Sequence, residues 1–149
     1  MGKRGEGWFL LQLVLFAVIL FAPRVPPLDF PLWLRVLGLA IIAVGGVFGT
    51  GGVLALGRNL TAFPKPIEGG TLVTSGVYSW VRHPIYTGLI LGTLGWSVWN
   101  ANLLGVGLAA LLFIFFDLKS RREERWLMEA YPGYAQYRCR VRKLIPFVY

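Results

Sequence analysis

Residues 32–56 form an apolar segment long enough to cross the hydrocarbon core of a bilayer, which is about 30 Å thick. Three shorter apolar segments cover residues 8–22, 84–99 and 103–116. At about 1.5 Å per helical residue they reach roughly 21 to 24 Å, so each needs flanking side chains that extend to the interface or a locally thin bilayer. Only 15% of the 149 residues are charged, against about a quarter in soluble domains. We predict an all-α integral membrane protein, a single domain with about four transmembrane helices.

The first apolar segment has a second interpretation, because Lys3 and Arg4 precede it as they would in a secretory signal. The bulky residues at positions 21–24 make a poor cleavage site, since signal peptides end in small residues. We therefore keep residues 8–22 as the first helix.

The basic residues predict the orientation, because short basic loops stay on the cytoplasmic side. If both termini are cytoplasmic, all of the fifteen Lys and Arg residues except Arg24 and Arg35 lie on the inner side. Anionic membrane lipids then account for the net charge of +8, and nucleic acid is not expected as a partner. The lone Cys139 excludes an internal disulfide and a multi-cysteine metal site, and no metal is predicted. The sequence leaves the oligomeric state open.

Residues 57–83 form the longest polar interval, and loops of this length in compact domains are often functional. Pro84 suits the first turn of a helix, so a helix is predicted to begin at Arg82, His83 and Pro84. Free N–H groups and the helix dipole favour an anion there. In the simpler interpretation, Arg82 is a membrane anchor and His83 is an interfacial capping residue.

Residues 100–102 predict a tight helical hairpin between the last two apolar segments, with one bent or re-entrant segment as the alternative. The charged residues after Phe116 predict that the last helix continues out of the membrane as an amphipathic helix ending near Pro132 and begins a cytoplasmic tail, 117–149. Glu123 and Glu124 lie on this part, near the same membrane face as Arg82. Their simpler interpretation is a solvated lattice of ion pairs along the helix.

Three separated motifs occur in a characteristic order. Residues 71–88 read Thr-Leu-Val-Thr-Ser-Gly-Val-Tyr-Ser-Trp-Val-Arg-His-Pro-Ile-Tyr-Thr-Gly; the pair Glu123 and Glu124 follows an apolar hairpin; and residues 134–147 contain Tyr-Ala-Gln-Tyr-Arg-Cys-Arg-Val and Ile-Pro-Phe. Together, over residues 57–147, they resemble the isoprenylcysteine carboxyl methyltransferase family and the wider group that contains phospholipid N-methyltransferases.

This resemblance implies binding of S-adenosylmethionine on the cytosolic side and methylation of a lipid-soluble acceptor dissolved in the membrane. Residues matched by motif would line the cofactor pocket: Thr71, Leu72, Val73, Tyr78, His83, Pro84, Tyr86 and Glu123. The acceptor-side, catalytic roles would fall to Arg82, Lys119, Arg122 and Glu124. In the carboxyl methyltransferases an arginine before the acidic pair holds the acceptor carboxylate, and Lys119 stands at that position here. Closure of residues 134–147 over the cofactor would exclude water.

The expected acceptor is the carboxylate of an isoprenylcysteine-like substrate, in a protein of a prokaryotic inner membrane. A phospholipid amine or a small thiol is the alternative acceptor. An NADPH-dependent membrane sterol or enone reductase is a different enzyme class with a similar arginine, proline, tyrosine and glycine pattern, but the Glu123 and Glu124 pair and the string at residues 82–86 favour methyl transfer. A non-catalytic membrane protein with the same fold is the third hypothesis, because a fold does not establish a function.

Overall fold

The structure is a computed structural model. It describes residues 6–23, 25, 28–61, 63, 65–67 and 69–149. Over these residues the named elements are all helices and no strand is present, which confirms the all-α prediction. An isolated parallel bridge joins Val81 and Arg142. The predictions that concern residues 1–5 and Arg24 lie outside the described residues.

Five α-helices follow in chain order: α1 Glu6–Phe21, α2 Leu32–Leu56, α3 Pro84–Trp99, α4 Leu103–Ala130 and α5 Tyr134–Arg140. Two short 3-10 turns, Gly57–Asn59 and Gly76–Ser79, interrupt the polar interval between α2 and α3. Helix α4 continues well past its apolar half because the Lys, Arg and Glu residues there are good helix formers. It ends shortly before Pro132, which cannot donate a backbone hydrogen bond.

Within the part of the chain that the structure describes, two helical segments are long and apolar enough to cross a membrane, Leu32–Asn59 and Leu103–Ala130. Helix α1 is apolar but shorter. The predicted number of four spans therefore stays a prediction. Residues 84–99 and 103 onward do form separate helices, joined at Ala101, whose φ is +52°.

Helices α2 and α3 pack backbone against backbone through facing glycines. A Cβ atom on Gly88 would lie 2.6 Å from the carbonyl oxygen of Gly45, and one on Gly95 would lie 2.5 Å from that of Gly38. Small residues allow this approach in apolar surroundings, where dispersion contacts replace the hydrophobic effect between helices. The close packing sets the first turn of α3 beside the last turns of α2.

The chain after α4 folds back onto the start of α3. The backbone N–H groups of Arg82 and His83 donate to the carbonyls of Arg142 and Lys143, at 2.8 and 3.1 Å. The Lys143 ammonium, itself buried, donates to Asp117 Oδ1 of α4 at 2.6 Å. The polar tail is thus part of the fold and covers the end of the bundle where α3 begins.

We expect Gly88→Ala to destabilise the protein and Gly92→Ala to leave its stability nearly unchanged. An added methyl group at Gly88 meets backbone atoms of α2, whereas nothing lies within 4 Å of one added at Gly92. Overpacking of this kind costs about 1–3 kcal/mol. Thermal unfolding of both variants in the same detergent checks the expectation, and equal midpoints would contradict the backbone contact between α2 and α3.

Candidate active site

A cavity of about 270 Å³ opens at the end of the bundle where α2 ends and α3 begins. Most of the site residues predicted from the sequence line it: Thr71, Leu72, Val73, Tyr78, Arg82, His83, Tyr86, Lys119 and Glu123. Pro84, Arg122 and Glu124 were predicted with them but do not line the cavity. The pyrrolidine ring of Pro84 instead lies against Gly52 at the α2–α3 contact.

A buried ion pair at the cavity links the residue before His83 to α4 and the tail. Arg82 Nε donates to Glu124 Oε1 at 2.9 Å, and both side chains are less than a tenth exposed. A second nitrogen of Arg82 donates to the backbone carbonyls of Arg138 and Val141. Catalytic roles were predicted for Arg82 and Glu124. Their charges neutralise each other inside the protein, and the pair connects the segments that form the site.

His83 lies between the two neighbouring carboxylates of α4. Its Nε2 atom is 3.1 Å from Glu124 Oε1, and its Nδ1 atom is 3.8 Å from Glu123 Oε2. Since an ionised carboxylate only accepts hydrogen bonds, Nε2 carries the proton of the shorter contact. The imidazole is buried, so these contacts fix its orientation at the start of α3.

A stack of aromatic rings extends from His83 along the wall of the cavity. The rings of His83 and Tyr86 are stacked with centroids 5.4 Å apart, and Tyr86 stacks on Phe116 at 4.4 Å. The Tyr86 hydroxyl donates to Glu123 Oε2 at 2.8 Å. Glu123 is consequently a carboxylate of fixed position on the cavity wall.

Lys119 is almost completely buried, with 2% of its surface exposed. Its ammonium donates to Gln12 Oε1 at 2.6 Å and lies 5.1 Å from the centre of the Tyr86 ring.

Arg122, which was predicted to act beside Lys119, is exposed and lies over the ring of Trp126 at 4.9 Å. The reason is helical geometry, because consecutive residues such as 122 and 123 are about 100° apart around a helix, and Glu123 is the one of the two that faces the cavity.

Asn59 holds the loop that carries the predicted cofactor-binding residues. Its side chain accepts from the backbone N–H of Thr71 and donates to the Thr71 hydroxyl, both at 3.2 Å. These bonds keep Thr71 and the residues after it next to the end of α2. Asn59 was not predicted from the sequence, since a single asparagine after a helix carries no distinct signal.

Three tail tyrosines complete the cavity and were not predicted as lining residues: Tyr131, Tyr134 and Tyr137. In the sequence, the regular spacing of three residues between these tyrosines was the signal that could have indicated a shared face. The Tyr137 hydroxyl donates to the carbonyl of Tyr78 at 2.6 Å. Burial raises the pKa of Tyr78, Tyr134 and Tyr137 above the usual tyrosine value, and nearby carboxylates add to the effect, so these hydroxyls stay protonated at neutral pH. The Tyr134 hydroxyl is buried without a hydrogen-bond partner among the described residues.

The remaining wall is largely apolar and comes from α1, α2 and the adjoining loop. It includes Phe9, Val53, Leu56, Leu60 and Ile67. Sequence analysis had treated α1 and α2 only as membrane helices. Among the described residues the cavity thus combines one carboxylate, one ammonium, the paired guanidinium of Arg82, several tyrosine hydroxyls and an apolar side. This is the composition expected for a ligand with both a polar and an apolar part.

The chain is similar to known methyltransferases. The model of the phospholipid methyltransferase family matches residues 33–133. Protein-S-isoprenylcysteine O-methyltransferase of Xenopus laevis is 34% identical over 127 residues, which cover 83% of this chain and 44% of the relative. The cobalt-zinc-cadmium resistance protein CzcN of Cupriavidus metallidurans is 38% identical over 80 residues, or 53% of this chain and 37% of the relative.

A solved structure is also similar, that of the eukaryotic intramembrane Ras methyltransferase ICMT, with a TM-score of 0.71 and 26% identity. The match covers 96% of this chain and 52% of the ICMT chain. The chain spans about half the length of several of the curated relatives it matches.

We expect Glu124→Gln to lower the thermal stability strongly, because the neutral amide cannot balance the buried charge of Arg82. Removing one partner of a buried ion pair costs about 3–5 kcal/mol. Glu129→Gln is the matched control on the same helix, because Glu129 is exposed and such a change is expected to stay within about 0.5 kcal/mol. Thermal unfolding in detergent measures both, and equal midpoints would contradict the role given to this pair.

Proposed function

We propose, from the premise that the chain belongs to the phospholipid methyltransferase family, that it transfers a methyl group from S-adenosylmethionine to the carboxylate of an isoprenylcysteine-like acid dissolved in the membrane. One observation carries the proposal. The cavity holds a carboxylate, Glu123, and a buried ammonium, Lys119, and the two form no ion pair within 4.0 Å. Each charge is therefore available to a ligand.

The residues on the Glu123 side fit the cofactor. S-adenosylmethionine, when bound, supplies a methyl group activated by a sulfonium. Glu123 can accept hydrogen bonds from ribose hydroxyls or from an ammonium, and its position is fixed by Tyr86. The buried Tyr134 hydroxyl, unsatisfied within the described protein, is a donor for a polar ligand atom.

The residues on the Lys119 side fit an anionic acceptor. A carboxylate nucleophile has no proton to lose, so the site needs a cation to hold it and no general base. Lys119 can donate charge-assisted hydrogen bonds to its oxygens. The tail tyrosines exclude water, which strengthens these interactions, and alignment of the reacting groups alone can supply several kcal/mol. Val53, Leu56 and Leu60 offer an apolar wall to the lipid part of the acceptor.

The same contacts weigh against the alternatives. A phospholipid amine becomes cationic during methylation and would be repelled by Lys119. A reductase would need room for NADPH in place of the smaller cofactor. We place the site at the inner face of a prokaryotic membrane with both termini cytoplasmic, because the basic residues of α4 and the tail adjoin the cavity.

We expect labelled methyl groups to pass from S-adenosylmethionine to an N-acetyl-S-prenylcysteine, with much slower transfer to phosphatidylethanolamine or to a small thiol. Lys119→Met should lower kcat/KM for the prenylcysteine by about tenfold to a hundredfold, because a hydrogen bond to a charged group is worth about 1.5–3 kcal/mol. Arg122→Met is the matched control and should stay within about twofold, since the Arg122 side chain lies outside the cavity. Faster transfer to the amine, or equal losses in both variants, would contradict the proposed acceptor.

We expect Tyr134→Phe to weaken binding of S-adenosylhomocysteine by about fivefold, the value of one hydrogen bond, without lowering thermal stability. The hydroxyl makes no hydrogen bond to a described residue, so its loss removes nothing from the fold. Calorimetry on the detergent-purified protein measures the affinity, and NADPH, which should not bind, is the comparison ligand. Tyr137→Phe is the control that should destabilise, because its hydroxyl bonds to the Tyr78 carbonyl. Unchanged affinity in Tyr134→Phe would remove this residue from the cofactor site.

A further inference from the structure

Gln12 is a polar side chain within the apolar helix α1, and it faces the protein interior. It lies between Trp8 and Phe16, one helical turn from each, and both of those rings contact α4 residues. Trp8 packs on Phe115 with centroids 5.6 Å apart, and Phe16 packs on Phe116 at 6.5 Å. These apolar contacts hold α1 against α4. The packing of α1 on α4 therefore does not require an amide at position 12, because a leucine would make the same kind of apolar contact.

The hydrogen-bond partner of Gln12 is the Lys119 ammonium. In this contact only the lysine is charged, because the amide is neutral. The amide oxygen accepts at 2.6 Å, and Lys119 forms no ion pair within 4.0 Å with a described carboxylate. A lysine ammonium has three donors, and Gln12 takes one of them. Both side chains line the cavity. A neutral acceptor thus fixes the position of the ammonium, and no described carboxylate lies within ion-pair distance of it; Glu123, one helical turn away, interacts with it only at longer range.

Polar side chains within membrane helices are costly and usually functional. A glutamate at position 12 would form an ion pair with Lys119 and cancel the charge that an acceptor needs. An apolar residue would leave the ammonium free to turn away from the cavity. The amide of Gln12 fixes the ammonium in place without forming an ion pair with it.

We infer that Gln12 is a positioning residue of the acceptor site: it holds the Lys119 ammonium toward the cavity without forming an ion pair with it, and α1 is thereby a functional part of the site. This inference rests on the proposed function, since it specifies how the same site selects an acid. It extends the site to a helix that carries none of the family motifs. Gln12 acts through Lys119 and not on the reacting atoms.

Two substitutions test the inference on the full-length protein in detergent. Gln12→Glu should raise the KM for N-acetyl-S-prenylcysteine by about tenfold or more, because the new carboxylate competes with the acceptor for Lys119. Gln12→Leu should raise it by a smaller factor. In both variants the Kd of S-adenosylhomocysteine should stay within about twofold, which a loss of folding would not allow. Leu13→Ala, an exposed position of the same helix, is the control that should change neither quantity.

Direct binding of the prenylcysteine acid, followed by protein fluorescence, separates this inference from the proposed function. Acid binding that is weakened by Gln12→Glu supports the inference even if no methyl group is transferred, and in that case only the proposed reaction fails. An acid affinity and KM in Gln12→Glu equal to those of the wild type would overturn the inference while leaving the methyltransferase proposal intact. Failure of the wild type to bind the acid at all would overturn both.

Discussion

The ion pair between Arg82 and Glu124 is the interaction on which the site depends. Ionised groups in an apolar interior are costly unless other groups pair with them or hydrogen-bond to them, so Arg82 and Glu124 stabilise the packing that brings them together. Arg82 precedes α3, Glu124 belongs to α4, and the guanidinium also bonds to carbonyls of the tail. One charge pair therefore fixes three parts of the chain around a single end of the bundle.

The cavity above this pair contains charges that the protein has not paired with each other. Glu123 is held by a tyrosine hydroxyl and Lys119 by an amide oxygen, and both of these partners are neutral. A neutral partner fixes a charged group in place without cancelling its charge. The contrast with Arg82 and Glu124 separates residues that maintain the fold from residues that can bind a ligand.

The glycine contact between α2 and α3 is the second constraint, and it is steric. Because the two backbones touch, the last turn of α2 and the polar loop after it lie beside the start of α3. That position brings Asn59 and Thr71 to the wall of the cavity. The apolar residues at the end of α2 then form the side of the cavity opposite the charged face of α4.

The sequence by itself determined the helices and nine of the residues that line the cavity. The apolar segment at residues 32–56 and Pro84 gave the bounds of α2 and the start of α3, because apolar length and proline act locally. The motif around residues 71–88 supplied seven of these nine lining residues. Only the tertiary structure decided that Lys119 faces the cavity while Arg122 lies on Trp126, and that Gln12 meets a lysine 107 residues away. The physical reason is that local sequence patterns report which residues share a face of one helix, whereas packing between helices decides which faces meet.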